Sequence, residues 1–151
     1  MKRVCKCAFL FAMTVSLAIT GCKKDDEIDG KGEGMLMIDG QEYSITDCVM
    51  RITWDNFLVF QNQNTGFNHL GIIMKSDELL SNTYQDDEIT GFMLKGGVIS
   101  FHYVNDFKMI VKKSGKTYDI ATTGKAKVSE ESQEFYDFIL TYKGTVLVEK
   151  E

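Results

Sequence analysis

The chain predicts an all-β fold, an antiparallel β-sandwich or small β-barrel of about 8–10 short strands with at most one short helical turn. Three observations carry this. Apolar and polar residues alternate over many short runs, as in Cys48, Met50, Ile52 and Trp54 set against Val49, Arg51 and Thr53. Such a period of two places one set on a buried face and the other on a wetter one. Turn residues recur between the runs: Asp39-Gly40, Asp55-Asn56, Lys95-Gly96-Gly97, Asn105-Asp106, Ser114-Gly115-Lys116 and Lys143-Gly144. No long segment shows a helical period, so crossover helices and parallel sheets are not expected.

The elements follow in order. Met35–Ile38 and Gln41–Ile45 flank Asp39-Gly40, whose residues tolerate the positive φ values of a two-residue hairpin turn. Cys48–Trp54 and Phe57–Gln61 form the next pair, and a polar loop, Asn62–Asn68, leads into Leu70, Ile72 and Met74. Ser76–Asn82 is the one stretch of helical flavour, with Ser76 placed to cap a turn holding Leu79 and Leu80. Thr83-Tyr84 begins a short edge segment, and Asp86-Asp87-Glu88 follows. Strands are then expected over Ile89–Leu94, Val98–Val104, Lys108–Lys112, Tyr118–Thr122 and Gly124–Val128. Tyr136, Phe138, Leu140 and Tyr142 mark the clearest inward face, and Thr145–Glu149 closes the domain.

The first residues read differently. Lys2, Arg3 and Lys6 precede an apolar run, Ala8–Ile19, broken only by Thr14 and Ser16. That run suits the core of a secretory signal and is too short to span a bilayer. It ends in Ile19-Thr20-Gly21-Cys22, followed by Lys23-Lys24-Asp25-Asp26-Glu27. The tetrad resembles the bacterial lipobox, with Ile19 in the usual Leu position and Thr20 in the usual Ala or Ser position. The charged run looks like the export signal of Bacteroidota-type surface lipoproteins. The resemblance implies a cleaved signal at 1–21 and an acyl-bearing Cys22. It places the protein on the outer membrane, facing the cell surface or, alternatively, the periplasm. Residues 22–34 are expected to form a flexible charged linker, because Gly30, Gly32 and Gly34 alternate there and Ile28 is the one apolar residue between Lys23 and Gly34. Residues 35–151 then make a single all-β domain. Several of its segments, Gly115-Lys116-Thr117-Tyr118-Asp119-Ile120 and Leu140-Thr141-Tyr142-Lys143-Gly144-Thr145 among them, are similar to all-β domains of Bacteroidota lipoproteins that have no assigned activity.

Composition narrows the partners. Loss of residues 1–21 removes Lys2, Arg3 and Lys6 and no acid, leaving 14 basic against 22 acidic residues, a net charge of −8. That balance argues against nucleic acid, whose phosphates need clustered Lys and Arg. It also argues against a basic face lying on anionic lipid. Membrane attachment rests on the Cys22 acyl chains alone. Cys5 and Cys7 leave with the signal, so Cys48 has no intramolecular disulfide partner.

Chemistry is sparse. His69 and His102 are the two histidines, and they lack the ligand spacing of a zinc site. Cys48 sits on the strand face of Met50 and Ile52, so it is expected to be buried and inert. Asp86, Asp87 and Glu88 are the weak candidates for a hard cation, without the ordered spacing of a calcium loop. Trp54, Phe67 and Tyr84 lie at turns or loops and are the candidate ligand-contacting aromatics. No catalytic residue and no cofactor is expected. The expected function is a surface-exposed, non-catalytic binding module for an extracellular or periplasmic ligand, such as a glycan or a protein. A barrel-type carrier of a small apolar ligand is the alternative, and a hydrolase has less support.

Overall fold

A computed structural model describes residues 28–64, 69–95, 103–127, 129 and 131–150. The expectations for Cys22, Phe67 and His102 therefore lie outside the described residues. The fold is all-β. It has ten strands: β1 (Lys31–Ile38), β2 (Gln41–Ile52), β3 (Asn56–Gln61), β4 (His69–Met74), β5 (Asn82–Gln85), β6 (Ile89–Lys95), β7 (Tyr103–Ser114), β8 (Thr117–Lys127), β9 (Tyr136–Thr145) and β10 (Leu147–Lys150). The one helical element among the described residues is a 3-10 turn, Asp86–Glu88.

The strands make one continuous sheet, in the order β5-β7-β8-β9-β1-β2-β3-β4-β6, with β10 joined to β2. Its edge strands, β5 and β6, are separated in sequence only by the three residues of the 3-10 turn. A flat sheet would hold those edges many strand spacings apart, at about 4.8 Å each. The short connection therefore requires the sheet to curl until its edges meet, and it forms a curled half-barrel. Between the sandwich and the barrel that the sequence allowed, the chain takes the curled single sheet.

Alternation is realised most cleanly on the later strands. Tyr118, Ile120, Thr122 and Ala126 on β8 face inward, as do Phe138, Leu140 and Tyr142 on β9. Leu36 and Ile38 of β1, Ile45, Cys48 and Met50 of β2, Leu58 and Phe60 of β3, and Leu70, Ile72 and Met74 of β4 complete the core. Phe60 meets the Tyr142 ring edge-on, with centroids 5.7 Å apart.

Four elements differ from the sequence reading. The linker ends earlier than residue 34, because Lys31–Gly34 belongs to β1 and pairs with both β2 and β9. The alternating glycines there are an inward strand face stripped of side chains. A Cβ on Gly32 would lie 2.6 Å from the Tyr142 ring and its hydroxyl, and one on Gly144 would lie 2.7 Å from the same hydroxyl. The Tyr142 side chain occupies that space. Secondly, β7 and β8 run unbroken where shorter strands were expected. Asn105-Asp106 is a bulge, with Asp106 at φ 52°, and Gly124 sits within β8 because the Phe138 ring covers it. Thirdly, Ser76–Ser81 forms no helix. Ser76 Oγ instead accepts from the Glu78 amide at 3.1 Å, a local turn that competes with helix formation.

The fourth difference is a parallel pair. β10 runs parallel to β2, from Leu147 opposite Val49 to Lys150 opposite Ile52. β1 begins at Lys31, opposite Asp47, and so leaves the rest of the β2 edge unpaired. β9 is antiparallel to β1, which is antiparallel to β2, so β9 already points along β2. The chain continues past Thr145 in the same direction and fills the vacant edge. Parallel pairing here needs no crossover, because β1 is the intervening strand.

Candidate functional site

The candidate site is a concave pocket of about 320 Å³ at one end of the half-barrel. This is the end where β2, β4, β7 and β10 finish and β3, β5 and β8 begin. Met50, Ile52, Leu79, Tyr118 and Val146 make an apolar floor. Asp77 and Glu78 stand on the β4–β5 connection, while Lys113 and Lys150 come from β7 and β10. The rim thus carries both signs of charge around a greasy base. Such a combination suits a ligand that is apolar in one part and charged in another.

Local chemistry holds these residues in place. Leu79 is buried and closes the core below the pocket. The Tyr84 hydroxyl accepts from the Leu80 amide at 2.9 Å and donates to the Leu80 carbonyl at 3.3 Å. Ser81 Oγ accepts from the Lys113 amide at 2.8 Å, tying the connection to β7. The Lys113 ammonium lies 5.0 Å from the Tyr118 ring centroid, where a cation is attracted to the π face.

The aromatic candidates separate. Trp54 is fully exposed, in the turn two residues beyond Ile52. The inward face of β2 thus stops short of it, because Thr53–Asp55 turns the chain, with Thr53 Oγ1 donating to the Asp55 carbonyl at 2.9 Å. Tyr84 is corrected from a ligand contact to a buried clamp: it is 3% exposed and acts on the pocket through Leu80. Burial pushes its hydroxyl pKa up.

The acidic triplet also takes a structural role. Asp86 Oδ1 accepts from the Phe107 amide, beside the β7 bulge. Glu88 Oε2 accepts from the Gln85 amide at 3.0 Å, and the Glu88 carbonyl accepts from the Lys75 amide at 3.0 Å. Lys75 Nζ donates to the Asp87 carbonyl. The triplet fastens the seam where the two sheet edges meet. Among the described residues, no three His, Cys, Asp or Glu side chains converge as a metal site requires.

Cys48 is fully buried, and burial alone pushes its thiol pKa well up, against the thiolate that nucleophilic chemistry needs. At the same level of the sheet, the Tyr142 hydroxyl lies 2.8 Å from the Gly30 carbonyl and 2.7 Å from the Thr145 carbonyl. Its single proton is shared between two backbone acceptors, at the point where β1 begins and β9 gives way to β10. Asp47 is buried and receives the Lys31 ammonium and the Thr46 hydroxyl.

The pocket was not legible in the sequence. Its floor was expected as core, and its rim charges are ordinary surface residues until the strand ends gather them. The one local signal was the pairing of Asp77-Glu78 with Leu79-Leu80, which puts acids and exposed apolar surface on a single short connection. Compared with known proteins, the chain matches no family model and no curated protein.

Proposed function

We propose that this chain is a lipid-anchored, non-catalytic binding module of the outer membrane, held by acyl chains on Cys22. Its ligand is amphipathic and occupies the pocket at the end of the half-barrel. The observation that carries this reading is the pocket itself, with Ile52, Leu79 and Tyr118 beneath Asp77, Glu78, Lys113 and Lys150. A ligand's apolar part would rest on the floor while its charged groups meet rim residues of opposite sign. The barrel-carrier alternative draws less support, because Leu36, Phe60, Leu70, Ile120 and Leu140 fill the interior with no exposure at all.

The test is a ligand screen read by thermal shift and by two-dimensional NMR. Glycan arrays, short peptides and zwitterionic amphiphiles serve as the panels. The expected result is saturable binding with shifts confined to Ile52, Lys113, Tyr118 and Val148. Lys113→Glu should weaken that binding about tenfold or more, the equivalent of about 1.4 kcal/mol, while leaving the fold intact. Saturable binding that ignores this substitution, or efficient turnover of a panel member, would overturn the proposal.

A further inference from the structure

Seven large apolar side chains are exposed among the described residues; Met35, Phe135 and Ile139 lie on or beside β1 and β9, whereas the three most exposed gather elsewhere. Trp54 is 104% exposed, Leu80 54% and Val148 48%. All three stand at the pocket end of the half-barrel, Leu80 and Val148 on the pocket wall and Trp54 in the adjoining β2–β3 turn. The described chain also enters from this end. Gly30 packs against Leu147 of β10 and gives its carbonyl to the Cys48 amide at 2.7 Å.

The tether joins the domain at the pocket end. Ile28 is six positions after Cys22. Six residues reach at most about 22 Å when fully extended. The seven steps of β1 from Lys31 to Ile38 rise about 23 Å in the opposite direction. The far end, with its Asp39-Gly40 turn, therefore lies farther from the tether's attachment than the pocket end does, by the length of β1. The pocket end is within reach.

Charge favours a zwitterionic surface. The rim pairs Asp77 and Glu78 with Lys113 and Lys150. The chain from Cys22 onward carries a net −8. A strongly anionic surface repels such a molecule, whereas a zwitterionic headgroup offers an ammonium to the acids and a phosphate to the lysines. Tryptophan favours the boundary between headgroups and acyl chains, where its ring is half greasy and half polar.

We infer that the pocket end docks on the bilayer that anchors the chain, with Trp54 in the lipid interface, Leu80 and Val148 beside it, and zwitterionic headgroups as the ligand of the charged rim. The inference rests on the anchored-module reading and supplies its ligand class.

Trp54 is the single tryptophan, so its fluorescence reports this end alone. Residues 22–151 contain all ten strands, and buried Cys48 is shielded from coupling. That chain is coupled through the Cys22 thiol to a maleimide lipid in vesicles of phosphatidylcholine and phosphatidylethanolamine. The expected result is a blue shift of Trp54 emission, loss of most of its acrylamide quenching, and strong quenching when brominated phosphatidylcholine is included. The double variant Leu80→Glu with Val148→Glu keeps the reporter and should abolish all three effects. Vesicles of pure phosphatidylglycerol should give weaker effects, and soluble phosphoethanolamine alone should give none of the blue shift. Tethered protein whose Trp54 spectrum and acrylamide quenching match those of the free protein would overturn the inference. Because the maleimide supplies the tether, this outcome is independent of acylation. Labelled palmitate that fails to enter Cys22 in a lipoprotein-processing host would instead remove the natural anchor.

Discussion

Two buried hydroxyls show how burial and partnership decide a residue's contribution. Tyr142 is buried, and its hydroxyl has two backbone carbonyls in range, one of them the Gly30 carbonyl that also accepts from the Cys48 amide. Thr122 is equally buried, on β8 between Met109 and Leu140, and its hydroxyl has no hydrogen-bond partner among the described residues. Tyr142→Phe should cost about 1–2 kcal/mol in urea unfolding, since it leaves carbonyls short of a donor. Thr122→Val removes a desolvated hydroxyl that is not bonded, with little change of shape. It should be neutral or stabilise by up to about 1 kcal/mol. If both variants lost stability equally, the hydroxyl accounting at these positions would be wrong. The glycines around Tyr142 follow the same logic of space. Gly32 and Gly144 exist as glycines because a side chain at either position would occupy the volume of the phenol.

At the scale of the element, the β4–β5 connection does two jobs. Leu79 points down into the core, and Leu80 points out beside the pocket. The Tyr84 hydroxyl and Ser81 Oγ fix the backbone between them. Leu79→Ala should therefore cost about 2–3 kcal/mol through the cavity it leaves. It should also loosen the Asp77-Glu78 rim, raising hydrogen exchange at Leu80 and Ser81 above the wild-type level. Unchanged exchange with lost stability would show that the core and the rim are independent. Elsewhere, β10 protects the β2 edge from Val49 to Ile52, a stretch left open by the short β1. The chain has no proline with which to blunt a strand edge, so covering it with β10 removes an aggregation-prone template.

For the molecule as a whole, stability should fall in alkali. The Cys48, Tyr84 and Tyr142 pKa values are all raised, chiefly by burial, from ordinary values of 9.0 for the thiol and 10.0 for the phenols. Above those values the unfolded chain releases protons that the folded chain retains, so the unfolded state binds fewer and the folding free energy declines with pH. The stabilisation is complete below about pH 9 and is lost as pH climbs toward the folded values, by at most about 1.4 kcal/mol per unit for each group. Urea midpoints should be flat from pH 7 to about pH 8.5 and fall thereafter. Cys48→Ala should move the onset of the fall about one unit higher, to the tyrosine range. An unchanged onset would mean that the thiol is not the first group to titrate. At low pH the opposite sign applies to Asp29. Its carboxylate accepts from the Lys31 amide and the Thr145 hydroxyl, which lowers its pKa, so its contribution is present above about pH 4 and disappears as acid protonates it.

Local patterning alone determined the all-β class and, among the described residues, the place of most strands and turns and many inward residues. The period of two on β8 and β9, the Asp39-Gly40 and Gly115 turns and the buried Cys48 were all legible, because alternation and positive φ are properties of a few adjacent residues. Tertiary structure decided the rest: that Lys31–Gly34 is strand, that β10 runs parallel to β2, that Tyr84 is a clamp, and that Asp86–Glu88 is a seam. Each depends on a partner far along the chain, such as Tyr142 over Gly32 or Phe107 beside Asp86. The pocket belongs to this second class. Its floor and rim come from five separate segments, and only the curl of the sheet, which brings β5 back to β6, sets their strand ends around one space.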